Sequence, residues 1–217
     1  MRFSFELTGT QPLLMHADDV EQSDDLMAWR KDPKNKSVSV AGDDRSPSWS
    51  WMTYLYQNNG VIAMPQECIM AALRFAGAKI SGKGKSTFKA LSQSGLYIKS
   101  DFCKFTQSGQ EIKLADIYKF KDEPFRLHKE NVADLGFDLM VKRASVGASK
   151  HVRVRPIFND WAVSGELETL DAAVTADVLD QMFDIAGRLA GLGDWRPSAP
   201  KKPGPYGMFS AKLKKLG

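Results

Sequence analysis

Ala186-Gly-Arg-Leu-Ala-Gly-Leu-Gly-Asp-Trp-Arg-Pro-Ser-Ala-Pro-Lys-Lys-Pro-Gly-Pro-Tyr-Gly-Met-Phe209 is the stretch in which the order of elements closes. Upstream of it Val178, Met182, Ile185 and Leu189 recur at helical spacing, joined by Leu179, Phe183 and Ala186. Thr175 suits the N-cap and Asp177 complements the dipole of that first turn. Gly191 or Gly193 ends the helix. Downstream, Tyr206 to Leu213 reads as a closing strand with Phe209, Ala211 and Leu213 inward. The stretch therefore joins a last helix to a last strand. Gly191, Gly193, Gly204 and Gly207 let its backbone approach a ligand closely, and Pro197, Pro200, Pro203 and Pro205 limit its entropy. It reads either as a ligand-contacting loop or as a rigid connection with no ligand.

Outward from it, Arg2 to Thr8 alternates with Phe3, Phe5 and Leu7 on one face, the period of a half-buried first strand. Gly60 to Met64 is a short strand, and Pro65 stands where a helix can begin. That helix covers Gln66 to Ala78, with Ile69, Leu73 and Ala76 on its apolar face. Gly95–Lys99 and Asp101–Phe105 read as strands broken by a turn. Phe137–Val146 and Lys150–Ile157 are further strands, and Ala162–Leu167 is expected to return as the hairpin partner of the latter. His128, among Lys121, Arg126 and Lys129, is expected on a surface loop. From Ala17 to Ser48 apolar residues are sparse, which predicts a polar, mobile insertion with a short helix near Leu26–Trp29. Residues 115–148 form a second insertion. Without them the order is strand, helix, strand, strand, helix, strand. This predicts an α+β chain, one domain over 1–217, built on a ferredoxin-like or RRM-like split βαβ core.

Composition excludes some classes. The 217 residues carry Lys+Arg 30 against Asp+Glu 26 for a net charge of +4, a mild preference for acidic partners. The excess is concentrated: Arg74, Lys79, Lys83, Lys85 and Lys89 occur with no acid between them, as do Lys201, Lys202, Lys212, Lys214 and Lys215. Cys68 and Cys103 have no partner at metal spacing and read as small core residues of a reducing compartment. No apolar run is long enough to span a membrane. Ser81-Gly-Lys-Gly-Lys-Ser86 lacks the phosphate-loop spacing and follows a helix, which argues against nucleotide hydrolysis. The pairs Asp18-Asp19, Asp24-Asp25 and Asp43-Asp44 lie in the polar insertion without a framework to fix a metal, so no metal and no cofactor is expected.

The strongest positional signal is Lys150-His-Val-Arg-Val-Arg-Pro-Ile157. Strict alternation puts His151, Arg153 and Arg155 on one face, about 7 Å apart by strand rise, and Val152 and Val154 on the other. Such a row suits successive phosphates, and it equally suits a sheet face with carboxylate partners. Nucleic-acid-binding candidates are Lys83, Lys85, Lys142, Arg143, His151, Arg153, Arg155, Arg196, Lys201 and Lys202, with Trp195 and Tyr206 as stacking surfaces.

Pro12-Leu-Leu-Met-His16, Arg155-Pro-Ile-Phe158, Trp161 and Ala186-Gly-Arg-Leu-Ala-Gly-Leu-Gly-Asp-Trp-Arg-Pro197 together resemble a family of uncharacterised tailed-bacteriophage proteins. The opening strand ending in Thr8-Gly-Thr-Gln-Pro-Leu-Leu14, with the glycine-rich loop running into Gly204-Pro-Tyr-Gly-Met-Phe209, resembles the RAMP superfamily, RRM-like subunits of CRISPR complexes. The loop here is proline-rich where the RAMP loop usually is not. The phage resemblance brings no function and implies the cytoplasm of an infected bacterial host; the RAMP resemblance implies a non-enzymatic protein. It would grip single-stranded nucleic acid, RNA slightly ahead of DNA, largely without sequence preference, and stack into a homo-oligomer. Two other readings stand beside it. A RAMP-like endoribonuclease would use His16 or His151 for proton transfer. A protein-interaction module would bind a host protein through 17–48.

Overall fold

The computed structural model describes residues 1–146 and 149–217. In chain order the elements are β1 (Arg2–Gly9), β2 (Leu13–Leu14), α1 (Val20–Lys31), β3 (Gln57–Asn58), β4 (Val61–Pro65), α2 (Gln66–Gly77) and α3 (Leu91–Ser94). They continue with β5 (Leu96–Ile98), β6 (Phe102–Gln107), α4 (Leu114–Tyr118), α5 (Phe125–Asp134), β7 (Asp138–Val146), β8 (Ser149–Phe158), β9 (Trp161–Thr169), α6 (Ala176–Ile185) and β10 (Phe209–Lys215). Residues 147 and 148, at the end of the second expected insertion, lie outside the described residues. The chain forms two compact units, one of Met1–Leu13, Ala63–Glu111 and Asn159–Gly217, the other of Leu14–Ile62 and Ile112–Phe158. Both expected insertions lie in the second unit.

The first unit is an antiparallel sheet in the order β10-β1-β9-β6, with Ala63–Pro65 of β4 on β6 and β5 also on β9. Taking β1, β6, β9 and β10 as the four strands and α2 and α6 as the two helices, the order is the 4-1-3-2 of a ferredoxin-like split βαβ fold. The protein is α+β, as its element order predicts. Phe3, Phe5 and Leu7 of β1 are buried, and Phe5 meets Phe183 of α6 with ring centroids 5.6 Å apart. Gly165 of β9 has a local reason: a Cβ there would press on the Phe5 ring and the Cys103 thiol. α2 buries Ile69, Ala72, Leu73 and Ala76. α6 is capped by Thr175, whose hydroxyl accepts from the Val178 amide at 3.3 Å, and it buries Leu179, Met182 and Phe183.

One strand pairing differs from expectation. β9 is not the hairpin partner of β8; it lies between β1 and β6, and β8 pairs along its length with β7. Local sequence fixed the turn at Asn159 and Asp160 but not the pairing. Phe5 and Phe105 are each buried at 2% exposure or less, and the β9 residues opposite them are Gly165 and Val163. In the second unit β7 and β8 form a long ribbon, and β3 pairs with Val61 and Ile62. Trp51, Phe137, Phe158 and Val132 make its core, joined by His128, which is fully buried on α5 and not on a surface loop. The Trp51 indole donates to His128 Nδ1 at 3.0 Å, and Nε2 reaches the Glu123 carbonyl at 2.8 Å. A hydrogen-bonded imidazole fits an aromatic core; its local sequence is charged because α5 turns its other faces to water.

Candidate nucleic-acid interface

The predicted residues divide between the units. Lys142, Arg143, His151, Arg153 and Arg155 belong to the second, on the β7–β8 ribbon. In this register Lys142 stands opposite Arg153, Arg143 opposite Val152 and Ser145 opposite Lys150. Opposed residues share a face, so Lys142, His151, Arg153 and Arg155 lie on one side and Arg143 and Lys150 on the other. Lys142, Arg143 and Lys150 are exposed, His151 and Arg153 half-buried, and Arg155 buried. Arg153 and Arg155 do not end in solvent. Asp44, 2% exposed, sets its carboxylate between them: Arg153 Nη1 donates to Oδ1 at 2.9 Å and Arg155 Nη1 to Oδ2 at 3.1 Å. The Val154 amide also donates to Oδ2, at 3.2 Å.

Asp44 arrives there because its own backbone is docked. The Val152 amide donates to the Gly42 carbonyl at 2.9 Å, and the Asp44 amide to the Val152 carbonyl at 3.0 Å. Gly42 has φ +74° and presses on the His151 ring, where a Cβ would collide, so both conformation and space require glycine. The sequence does not show Asp44 as the partner of these arginines. Its only local signal is the Asp43-Asp44 pair, in which the neighbour takes a different role: Asp43 pairs with exposed Arg45 at 2.6 Å. The hydrogen bond from Arg45 holds the Asp43 carboxyl below its usual range, against a smaller opposing effect of burial.

Arg155 extends beyond Asp44. Its guanidinium lies 4.1 Å from the Tyr54 ring centroid, and Nη2 is 3.3 Å from His16 Nε2. His16 is exposed and meets Tyr54 edge-on at 4.8 Å. A guanidinium has no acceptor, so in this contact the imidazole nitrogen accepts. Burial, and after it the Asp44 charge, raise the Tyr54 phenol above its ordinary range, while Arg155 and Arg153 oppose the rise.

In the first unit Lys83 and Lys85 are exposed on a tight loop after α2, closed by Gly82 N to Ser86 O at 2.9 Å and Ser86 Oγ to Lys83 O at 2.7 Å. The loop over 191–207 is tied to the end of β1 by Gly207 N to Pro12 O at 2.7 Å. Within it Trp195 and Tyr206 meet at 5.6 Å with a 32° tilt, both half-buried. Arg196 turns inward, donating to Gly193 O at 2.8 Å and Ser198 Oγ at 3.2 Å. Lys201 and Lys202 are exposed. Tight packing on this loop explains its glycines: a Cβ at Gly204 would strike Trp195, itself at φ +51°.

Among the described residues no group of three or more His, Cys, Asp or Glu is placed to hold a metal. Of the acidic pairs, Asp19 is used to cap α1, accepting from the Gln22 amide at 3.1 Å. Among the described residues no helix is long and apolar enough to cross a membrane.

No protein-family model matches the chain, and no curated protein matches it. A solved structure, Cmr6 from Pyrococcus furiosus, aligns over 97% of this chain and 97% of its own, at 10% identity and a TM-score of 0.36. A likeness at that level carries neither fold nor function to this chain.

Proposed function

We propose that the protein binds single-stranded nucleic acid through its phosphates, largely without sequence preference, RNA slightly ahead of DNA, with further copies binding along the same strand. The observation that carries this reading is the β7–β8 ribbon. From Leu139 to Phe158 the chain has no acid, and exposed cations stand on both faces of the ribbon, Arg143 and Lys150 on one and Lys142, beside Arg153, on the other. Arg143 and Lys150 are diagonal neighbours across the two strands, roughly 7–8 Å apart at the backbone. Arg153, a third exposed despite its bond to Asp44, adds a further charge. Arg155 fixes Asp44 and the edge of β8; it is a positioning group. In the first unit Lys83, Lys85, Lys201 and Lys202 are exposed cations of the same kind, and Trp195 and Tyr206 offer partly exposed rings for stacking.

The test is a titration of labelled single-stranded RNA, single-stranded DNA and duplex at two salt concentrations about fourfold apart. With about three phosphates neutralised, affinity for a single strand should fall roughly 20-fold between them. Replacing Lys142, Arg143 and Lys150 together by Ala should flatten that dependence. Absence of salt-dependent binding to any of the three would overturn the proposal.

One contact favours a second reading, an endoribonuclease. His16 is exposed beside a buried Arg155, the pairing of a proton-transfer group with a fixed cation that phosphodiester cleavage uses. Cleavage products that vanish in His16→Ala would promote it, and an intact RNA after prolonged incubation would remove it.

A further inference from the structure

We propose that the second unit contains a nucleobase pocket: the cleft of about 410 Å³ lined by Gln22, Asp25, Trp49, Met52, Tyr118 and Lys121. The inference deepens the proposed function and rests on it only for the source of the base. None of these six residues belongs to the basic ribbon, and the cleft is within the usual size range of small-ligand sites.

The lining has the three kinds of surface that a nucleotide requires. Trp49 and Met52, both nearly buried, form an apolar floor, and Tyr118, 41% exposed, offers a ring for stacking. Gln22 and Asp25 are three apart on α1 and so share a face, presenting an amide and a carboxylate to the polar edge of a base. Lys121 supplies the cation for an attached phosphate. Its ammonium lies 4.6 Å from the Trp49 ring centroid, so a charge and a π-face are already adjacent. A purely apolar ligand would desolvate Asp25 and Lys121 without replacing their water. A cationic peptide side chain would meet Lys121, and a simple anion would make no use of the rings.

The polar wall is held in place. Asp19 accepts from the Gln22 amide at 3.1 Å through one oxygen and from Gln57 Nε2 at 3.2 Å through the other. The Tyr118 hydroxyl donates to Gln57 Oε1 at 3.5 Å. One carboxylate thus ties the start of α1 to Tyr118. The pocket also accounts for α1 itself, a helix of 12 residues with no buried residue. No fully buried face stabilises it; the side carrying Gln22 and Asp25 has a ligand to serve.

Three probes test this on the full chain: adenosine monophosphate, a base-containing single strand, and an abasic strand of equal length. Adenosine monophosphate should shift the Trp49 indole N–H resonance, assigned by its loss in Trp49→Phe. The base-containing strand should bind roughly tenfold tighter than the abasic one. Tyr118→Ala and Asp25→Ala should each remove that preference and leave abasic binding unchanged; both alter exposed side chains, so either serves if the other fails to fold. An unmoved Trp49 resonance with equal affinity for the two strands would overturn the pocket while leaving phosphate binding intact. A shift that Tyr118→Ala abolishes, in a protein that binds neither strand, would keep the pocket as a free-nucleotide site and overturn the proposed function.

Discussion

The arginines of β8 and the lysines of the 191–207 loop look alike in the sequence, both basic runs beside glycine or proline, but the fold treats them differently. Arg155 is buried against Asp44 and reaches on to Tyr54 and His16, and Arg153 shares the same carboxylate. Lys201 and Lys202 stay in water, while the one arginine of that loop is folded back onto Gly193 and Ser198. Periodicity along a strand states which side chains share a face. It does not state what arrives on that face from 109 residues away. Charge on a buried strand therefore specifies structure first, and charge on an exposed loop is free to meet a ligand.

The largest effect that bears on this contrast is expected from Asp44→Ala. It would remove the carboxylate that Arg153 and Arg155 share in a buried site, and removing one partner of a buried pair costs about 3–5 kcal/mol. Urea denaturation reads it directly. A loss below about 1 kcal/mol would show that Arg155 relaxes into water and that the two basic regions are equivalent after all. The double change Asp44→Leu with Arg155→Met should recover much of the loss, since a well-packed apolar pair often equals a buried ionic one.

Next comes the loop, where the expected loss is in binding. Trp195→Ala with Arg196→Ala should weaken single-strand affinity by about 1–3 kcal/mol if Trp195 stacks on a base. A folded double variant that binds normally would return the loop to a purely structural role, which its hydrogen bond from Gly207 to Pro12 already supports. Lys201→Ala with Lys202→Ala should change stability by less than about 0.5 kcal/mol, as exposed substitutions usually do, and lower the salt dependence of binding. A clear stability loss in that pair would mean that these lysines, too, are committed inside the protein.

The same contrast explains what the sequence could disclose. Elements whose cause is local were legible: β1 from the alternation of Phe3, Phe5 and Leu7, α6 from Thr175 and its apolar stripe, and through them the split βαβ order. Features whose cause is distant were not. The partner of β9 depends on which strands cover Gly165 and Val163, and nothing near residue 161 records that. Asp44 is one acid in a polar segment until Gly42 docks beside His151. His128 reads as surface because lysines and an arginine surround it in sequence, although Trp51, distant in the chain, is its hydrogen-bond partner. Of the candidate interface, the exposed cations were legible and the ion-paired ones were legible only as charges.

His128 acts chiefly in acid, because it is a buried base and not a buried pair. The Trp51 indole donates to Nδ1, so Nε2 carries the proton given to the Glu123 carbonyl, and the ring is neutral in the fold. Burial lowers its pKa below the ordinary 6.5, more than the nearby Glu123 carbonyl and carboxylate raise it. The folded state then binds fewer protons than the unfolded one below that value, so stability is fully present above about pH 6.5 and falls as acid is added, levelling below the folded pKa. Thermal melting from about pH 8 to about pH 5 should show a Tm that is flat at first and then declines. The Asp43 carboxyl, lowered from 3.8, contributes a loss only at more acid pH, so the two windows separate. His128→Gln, which keeps an acceptor and a donor, should lower Tm at neutral pH but remove the decline. A decline that persists unchanged in His128→Gln would assign the acid sensitivity elsewhere and leave His128 a packing residue alone.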